Sequence, residues 1–192
     1  STNVNVTGIS FSTFGTKVIK LTATDANGCP DTFTATVSVR EKPKAVWSVN
    51  KAGQCLNKQA FVYTSNGSTP INGSTIVGYK WDFGLDANPD TSTLSMPPTV
   101  IYKTFGKKTV KLTVTDANGC TDTFTSTITV HPPPEPLFTV ADDSQCLTGN
   151  KFFFTNKSTL AIGTMTYKWH FGDTTPAVSA LDTNHTYSIE NK

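Results

Sequence analysis

Residues 105–130 read FGKKTVKLTVTDANGCTDTFTSTITV, and residues 14–39 read FGTKVIKLTATDANGCPDTFTATVSV. The two stretches lie 91 residues apart and agree at 18 of 26 positions. Within the second copy, Val110, Leu112 and Val114 alternate with Lys111, Thr113 and Thr115. That period of two sends one face of a strand to a core and the other to water. Asp116-Ala117-Asn118-Gly119 supplies a turn, because Asn-Gly accepts the positive φ of a tight hairpin. The returning strand is expected to point Phe124, Ser126, Ile128 and Val130 inward, with threonines outward. The matching inward set in the first copy is Ile19, Leu21, Ala23, Phe33, Ala35, Val37 and Val39.

The 91-residue offset also carries Trp47 onto Phe138, Cys55 onto Cys146 and Phe61 onto Phe152. Such a period is too long for a solenoid and suits one small β-sandwich per repeat. Residues 1–42 then read as the closing half of one repeat, 43–132 as a complete repeat and 133–192 as the opening of a third. Both ends fall inside a repeat, so a longer natural polypeptide is expected. Further strands are predicted at 45–49, 61–64, 79–83, 137–140, 152–155 and 167–171. The Pro-bearing stretches REKPK and HPPPEP read as extended, semi-rigid linkers. No stretch has helical periodicity, and the chain is predicted to be all-β.

Thr occurs 34 times and Glu three times, a composition that suits strands whose wet face carries hydroxyls rather than charge. The net charge of +2 is dispersed, which excludes the clustered basic face of a nucleic-acid binder. No run approaches the ~20 apolar residues of a membrane-spanning helix. Cys29, Cys55, Cys120 and Cys146 lack CxxC or Cys/His spacing, so metal ligation is a poor reading. Two cysteines per repeat in a Thr-rich β protein are read as disulfides in an oxidising compartment.

Tyr79-Lys80-Trp81-Asp82-Phe83-Gly84, followed by Val100-Ile101-Tyr102-Lys103-Thr104-Phe105-Gly106 and VKLTVTDANGC, resembles the polycystic-kidney-disease (PKD) repeat. That family carries a WDFGDG-like strand and turn, then an HTY segment and a GTYTVTLTV strand. Tyr167-Lys168-Trp169-His170-Phe171-Gly172-Asp173 and His185-Thr186-Tyr187 repeat the pattern. The resemblance implies tandem immunoglobulin-like sandwiches arranged end to end. It departs where Asp82 becomes His170 and where Leu85-Asp86 follows Gly84. The family's Asp is expected to brace the turn after its strand. Trp81 and Trp169 read as large core residues whose indole N–H needs a partner, with sugar stacking as the other use. In such a sandwich the loop after the first strand and the last hairpin turn lie at opposite poles. Cys55–Cys120 is nevertheless the favoured pair, with residues 50–60 climbing the sandwich. Cys29–Cys55 across the linker fits less well, and Cys29 and Cys146 would pair outside this segment.

Asp82, Asp86 and Asp90, with Asn88 nearby, are hard oxygen donors of a kind that Ca²⁺ accepts, and some PKD-like modules bind calcium. Their spacing is not that of an EF-hand. The third repeat keeps only Asp173 and Asp182, so solvated turn carboxylates are the expected reading and no cofactor is assigned. His131, His170 and His185 cannot form a Ser/His/Asp or HExxH arrangement, and no enzyme activity is expected. Asn5, Asn66, Asn72, Asn156 and Asn184 head Asn-x-Ser/Thr sequons, which matter only in a eukaryotic source. Glu41, Glu135 and Glu190 lie in linkers or near the end, against the commonest isopeptide crosslink.

Cysteines of this pattern joined by Pro linkers look most like the PKD arrays of large Bacteroidota surface and gliding proteins. The expected function is the stalk of a secreted, extracellular adhesin. Its partners would be neighbouring repeats and other surface proteins or glycans, with no nucleic acid and no membrane span. The alternative is an accessory PKD module of a secreted polysaccharide- or protein-degrading enzyme. A eukaryotic receptor ectodomain is a third possibility.

Overall fold

The computed structural model describes residues 7–188; Asn5 and Glu190, singled out above, lie outside them. Every regular element among the described residues is a strand except one 3₁₀ turn, Leu56–Lys58. The chain divides into two compact units. The first takes in residues 1–52, 60–101 and 108–128, the second 53–59, 102–107 and 129–192.

β1 (Gly15–Thr24) and β2 (Pro30–Val39), both within the first unit, form a two-stranded antiparallel hairpin in unbroken register. The short strands β3 (Ser48–Val49), β4 (Gly53–Cys55) and β5 (Tyr63–Thr64) follow, β3 pairing with β5. Next come β6 (Ile76–Asp82), β7 (Ala87–Asn88), β8 (Thr91–Ser92) and β9 (Ile101–Tyr102). The long hairpin strands are β10 (Gly106–Asp116) and β11 (Thr121–His131). They lie in a five-stranded sheet ordered β4-β11-β10-β6-β8, whose β11–β4 pairing is parallel.

A second layer packs on this sheet through aromatic rings. Tyr63 on β5 stands 5.9 Å from Trp81 and 5.0 Å from Phe83. Trp47 stands edge-on to Tyr63 at 5.6 Å and to Phe124 at 5.9 Å. Phe61, Tyr63, Trp81, Val110, Leu112 and Val114 have no exposed surface, so the alternation read in β10 does bury its apolar face. Ile128 and Val130 are buried as well, whereas Phe124 is 36% exposed toward the turn end of β11.

The hairpin turns differ from the tight Asn-Gly type expected. Positive φ falls on Gly28 (83°) and Gly119 (79°) alone in these turns, which gives three-residue loops closed by a left-handed glycine. An aspartate anchors each. Asp116 accepts the N–H groups of Asn118 (3.0 Å) and Cys120 (2.8 Å). Asp25 accepts those of Asn27 (2.9 Å) and Cys29 (2.8 Å).

In the second unit, β12 (Phe138–Val140), β13 (Phe152–Asn156) and β14 (Thr183–His185) form one antiparallel sheet. The strand expected at 167–171 is reduced to a single bridge between Trp169 and Val178. Its counterpart β6 is seven residues long because β10 pairs along it from Asp82 to Ile76. Apart from the Trp169 bridge, the backbone groups of 164–170 have no ladder to join among the described residues, and the segment stays irregular. The linkers end in sheet-like bridges rather than free polyproline segments. Lys44 exchanges both hydrogen bonds with Thr69, and Glu135 does the same with Thr159.

Candidate functional site

Trp81, Phe83 and Gly84 are framework residues. The Trp81 ring stacks on Phe83 at 5.5 Å and 16°, and its indole N–H donates to the Leu94 carbonyl at 2.8 Å. With no exposed surface, Trp81 has no face left for a sugar. Asp82 accepts the N–H of Gly84 at 3.1 Å and braces the turn that leaves β6. Gly84 takes φ 90° there, a conformation in which a side chain would be strained.

Trp169 and Gly172 keep the indole bond and the positive φ (81°) of this arrangement, at lower burial. The Trp169 indole donates to the Ala180 carbonyl at 3.0 Å, but the ring is only half-buried. Around Phe171 the chemistry changes. Its ring lies flat on His185 at 4.1 Å and 4°, and His185 Nε2 stands 2.6 Å from Asp173 Oδ2. The Tyr187 hydroxyl donates to the Phe171 carbonyl at 2.8 Å. Phe152 pairs with His185 as Phe61 pairs with Val100. Asp173 follows Gly172 as Leu85 follows Gly84. The complete repeat therefore has an apolar residue at both positions where the third repeat has an acid and an imidazole. Hydrogen bonds from the Thr175 hydroxyl, and then from His185, hold the Asp173 carboxyl down at about 2. The sequence alone points to no site of this form, although it places His185 in the HTY segment.

The carboxylates proposed for calcium are engaged separately. Asp82 Oδ1 holds its turn, Asp86 Oδ2 receives the Lys108 ammonium at 2.6 Å, and Asp90 Oδ1 accepts the Thr91 hydroxyl at 3.5 Å. Among the described residues no group of three or more His, Cys, Asp or Glu side chains converges as a metal site. An ammonium on Asp86 stands where a cation would compete for the same oxygen.

The expected pair Cys55–Cys120 is corrected: neither cysteine is bonded to the other, and only Cys120 of the four is even half-buried. Cys29 and Cys146, whose partners were expected outside this segment, are unpaired within it. Cys55 is registered against His131, the last residue of β11, while Cys120 immediately precedes the first. Eleven strand residues at ~3.4 Å each separate the two ends, far beyond the ~7 Å Cα limit of a disulfide. The rise of residues 50–60 is spent on the parallel pairing of β4 with the end of β11.

Two polar devices escaped the sequence reading. The Gln59 amide donates to the Leu56 and Tyr102 carbonyls at 3.1 and 2.7 Å and accepts the Tyr102 N–H at 2.8 Å. Asn150, 91 residues on, makes the same three bonds with Leu147 and Tyr187. The clue was an amide side chain at equal phase two residues before Phe61 and Phe152. Asp122 ties the entering chain to the closing hairpin, accepting the Ala45 N–H at 2.9 Å and the Lys42 ammonium. Burial pushes its carboxyl up, but these bonds outweigh that and leave it below its ordinary value.

The PKD-domain family model matches residues 41–131. A microbial collagenase of Vibrio alginolyticus is 38% identical over 88 residues, a match spanning 46% of this chain and 10% of the collagenase. The crystallised PKD1 domain of the Vibrio cholerae metalloprotease PrtV is 36% identical. That match covers 47% of this chain and 98% of the domain, at a TM-score of 0.38. The PKD1 domain of Vibrio anguillarum Epp is 32% identical, covering 48% of this chain and 98% of that one, at a TM-score of 0.39.

Proposed function

The chain belongs to the PKD-domain family, and from that premise we infer that it is a non-catalytic accessory module of an extracellular polymer-degrading enzyme. The observation that carries this reading is the company its relatives keep: residues 41–131 match the PKD-domain family model, and 88 residues of the chain are 38% identical to part of a microbial collagenase. The chain spans a tenth of the length of the collagenase it matches, so the activity of any parent protein belongs to other segments. What the repeat brings is a rigid sandwich whose shared residues, Trp81 and Phe83 foremost, are buried in its core. Its contribution is to hold a neighbouring domain against substrate, with protein as the favoured polymer. Co-sedimentation of the 192-residue chain with insoluble collagen, chitin and cellulose tests this. Retention on collagen is the expected result; a chain that stays in the supernatant with all three polymers contradicts it.

A second reading, the stalk of a cell-surface adhesin, is favoured by the 91-residue echo itself. Segments 1–42, 43–132 and 133–192 would then be consecutive repeats stacked end to end, with joints stiffened where Lys44 and Glu135 pair into their repeats. A parent sequence containing a protease or glycosidase domain decides for the accessory module. An unbroken run of such repeats decides for the stalk.

A further inference from the structure

Asn-Gly occurs at Asn27-Gly28, Asn66-Gly67, Asn72-Gly73 and Asn118-Gly119. Such a pair can react with itself. The glycine nitrogen attacks the asparagine side-chain amide, and a residue without Cβ leaves that approach open. All of these residues are exposed, so access to water does not separate the pairs. The backbone around them does. Gly28 and Gly119 donate their N–H groups to the Asp25 and Asp116 carbonyls at 3.1 and 2.9 Å. In both turns the aspartate side chain also holds the asparagine N–H. The attacking nitrogen is therefore tied down in these two pairs. Gly67 is held by packing instead. A Cβ placed on it would stand 2.8 Å from Val46 Cγ1. The neighbouring Ser68 hydroxyl bonds the Val46 N–H at 3.0 Å and its carbonyl at 2.8 Å.

Gly73, on a loop inside the complete repeat, is different. Asn72 takes φ 53° and Gly73 φ 73°, and the Ser74 N–H donates to the Ile71 carbonyl at 3.1 Å. That is the form of a type I′ turn. A Cβ placed on Gly73 would meet nothing within 4 Å, and its N–H donates no hydrogen bond among the described residues. We propose that Asn72-Gly73 is a self-modification site, where the folded chain converts an asparagine amide to aspartate and isoaspartate ahead of its other Asn-Gly pairs. The Gly73 nitrogen passes its proton to solvent and bonds to Asn72 Cγ. The Cγ–Nδ2 bond breaks, and Nδ2 leaves as ammonia. One water then opens the succinimide. Opening at Cγ gives aspartate, and opening at the main-chain carbonyl gives isoaspartate. The balance is one water consumed and one ammonia released, with nothing oxidised. Ring closure requires Asn72 to rotate out of its turn, which breaks only the Ser74–Ile71 bond. Either product places a carboxylate on the loop whose Ser74 hydroxyl accepts the Asn118 amide at 3.1 Å.

Peptide mapping by tandem mass spectrometry tests the assignment, on the 192-residue chain incubated in mildly alkaline buffer at physiological temperature. Conversion at each pair is read as the mass gain of an amide replaced by a carboxylate. Asn72 should convert about tenfold faster than Asn27, Asn66 and Asn118, a barrier difference of about 1.4 kcal/mol. In a parallel sample unfolded in urea, the four should convert at one rate, since glycine follows each. Equal rates in the folded chain overturn the proposal, as does a lead by any other pair. A lead for Asn72 that persists unchanged in urea also overturns it, because the selectivity would then belong to the flanking residues rather than to the fold.

Discussion

The hairpins β1–β2 and β10–β11 are nearly the same sequence in two settings. Their turns are superposable in chemistry: an aspartate accepts two N–H groups in each, and one glycine takes positive φ. Their faces are not. Leu112, opposite Trp81 in the ladder, is wholly buried, while Leu21, at the same place in the pattern, is 66% exposed. Strand pairing and turn geometry are therefore written within 26 residues. Burial is supplied from outside them, by the opening half of a repeat. The bare hairpin shows which features of the closing half form with no opening half packed on it among the described residues.

The sharpest way to break that comparison is to truncate both leucines. Leu112→Ala should lower the stability of the complete repeat by about 2–5 kcal/mol, the usual range for a fully buried leucine. Leu21→Ala should fall within about 0.5 kcal/mol, as for an exposed site. Urea unfolding followed by Trp fluorescence measures both. Equal losses at the two sites would mean that the first hairpin is packed after all.

A smaller effect is expected at the turns, and there the two hairpins should agree. Asp116→Ala and Asp25→Ala each remove an acceptor from two backbone N–H groups. Amide exchange at Cys120 and at Cys29 should speed up in the respective variants. For Asp25 the Cys29 N–H holds the carboxyl below its ordinary 3.8. For Asp116 burial pushes the other way, and the bonds from Cys120, Ser74 and Asn118 more than offset it. An effect at only one turn would show that the loop depends on its surroundings.

The acid response separates the third repeat from the second. Asp173 is depressed from 3.8 to about 2 in the fold, so the unfolded chain binds its proton first as pH falls. Its contribution is full above about pH 4 and is lost as pH drops through about 2. Asp173→Asn should flatten the stability of the second unit across that window. Leu85→Asn, at the matching place of the complete repeat, should leave the first unit's profile unchanged. Carboxyl chemical shifts against pH would reveal a normal Asp173 if the pairing with Thr175 and His185 does not hold.

The least effect belongs to the thiols. All four cysteines should alkylate in the native protein, Cys120 most slowly, and reductant should leave the melting temperature where it was. A crosslinked Cys55–Cys120 peptide in a non-reducing digest would overturn the strand register that keeps them apart.

Much of this fold is legible in the residues because a period-two pattern and a turn are local. The strands β10, β11, β1 and β2 lie where alternation places them, and Trp81 is in the core, where its size and its position on a strand put it. The segment 167–171 has the same pattern yet forms no strand, because a ladder needs a partner that the local sequence does not contain. The roles of Gln59, Asn150 and Asp122 are not legible locally for a similar reason: their partners lie tens of residues away, at Tyr102, Tyr187 and Ala45. The cysteines misled because a count of two per repeat carries no geometry, whereas the register of Cys55 on His131 does.

Native-state amide exchange, read residue by residue at dilution, decides whether burial of the closing hairpin comes from the opening half of its repeat. The N–H groups of β10 and β11 that lie within the ladder should exchange only on global unfolding, and those of β1 and β2 orders of magnitude faster, close to the local-opening limit. Equal protection of the two hairpins at dilution would contradict it.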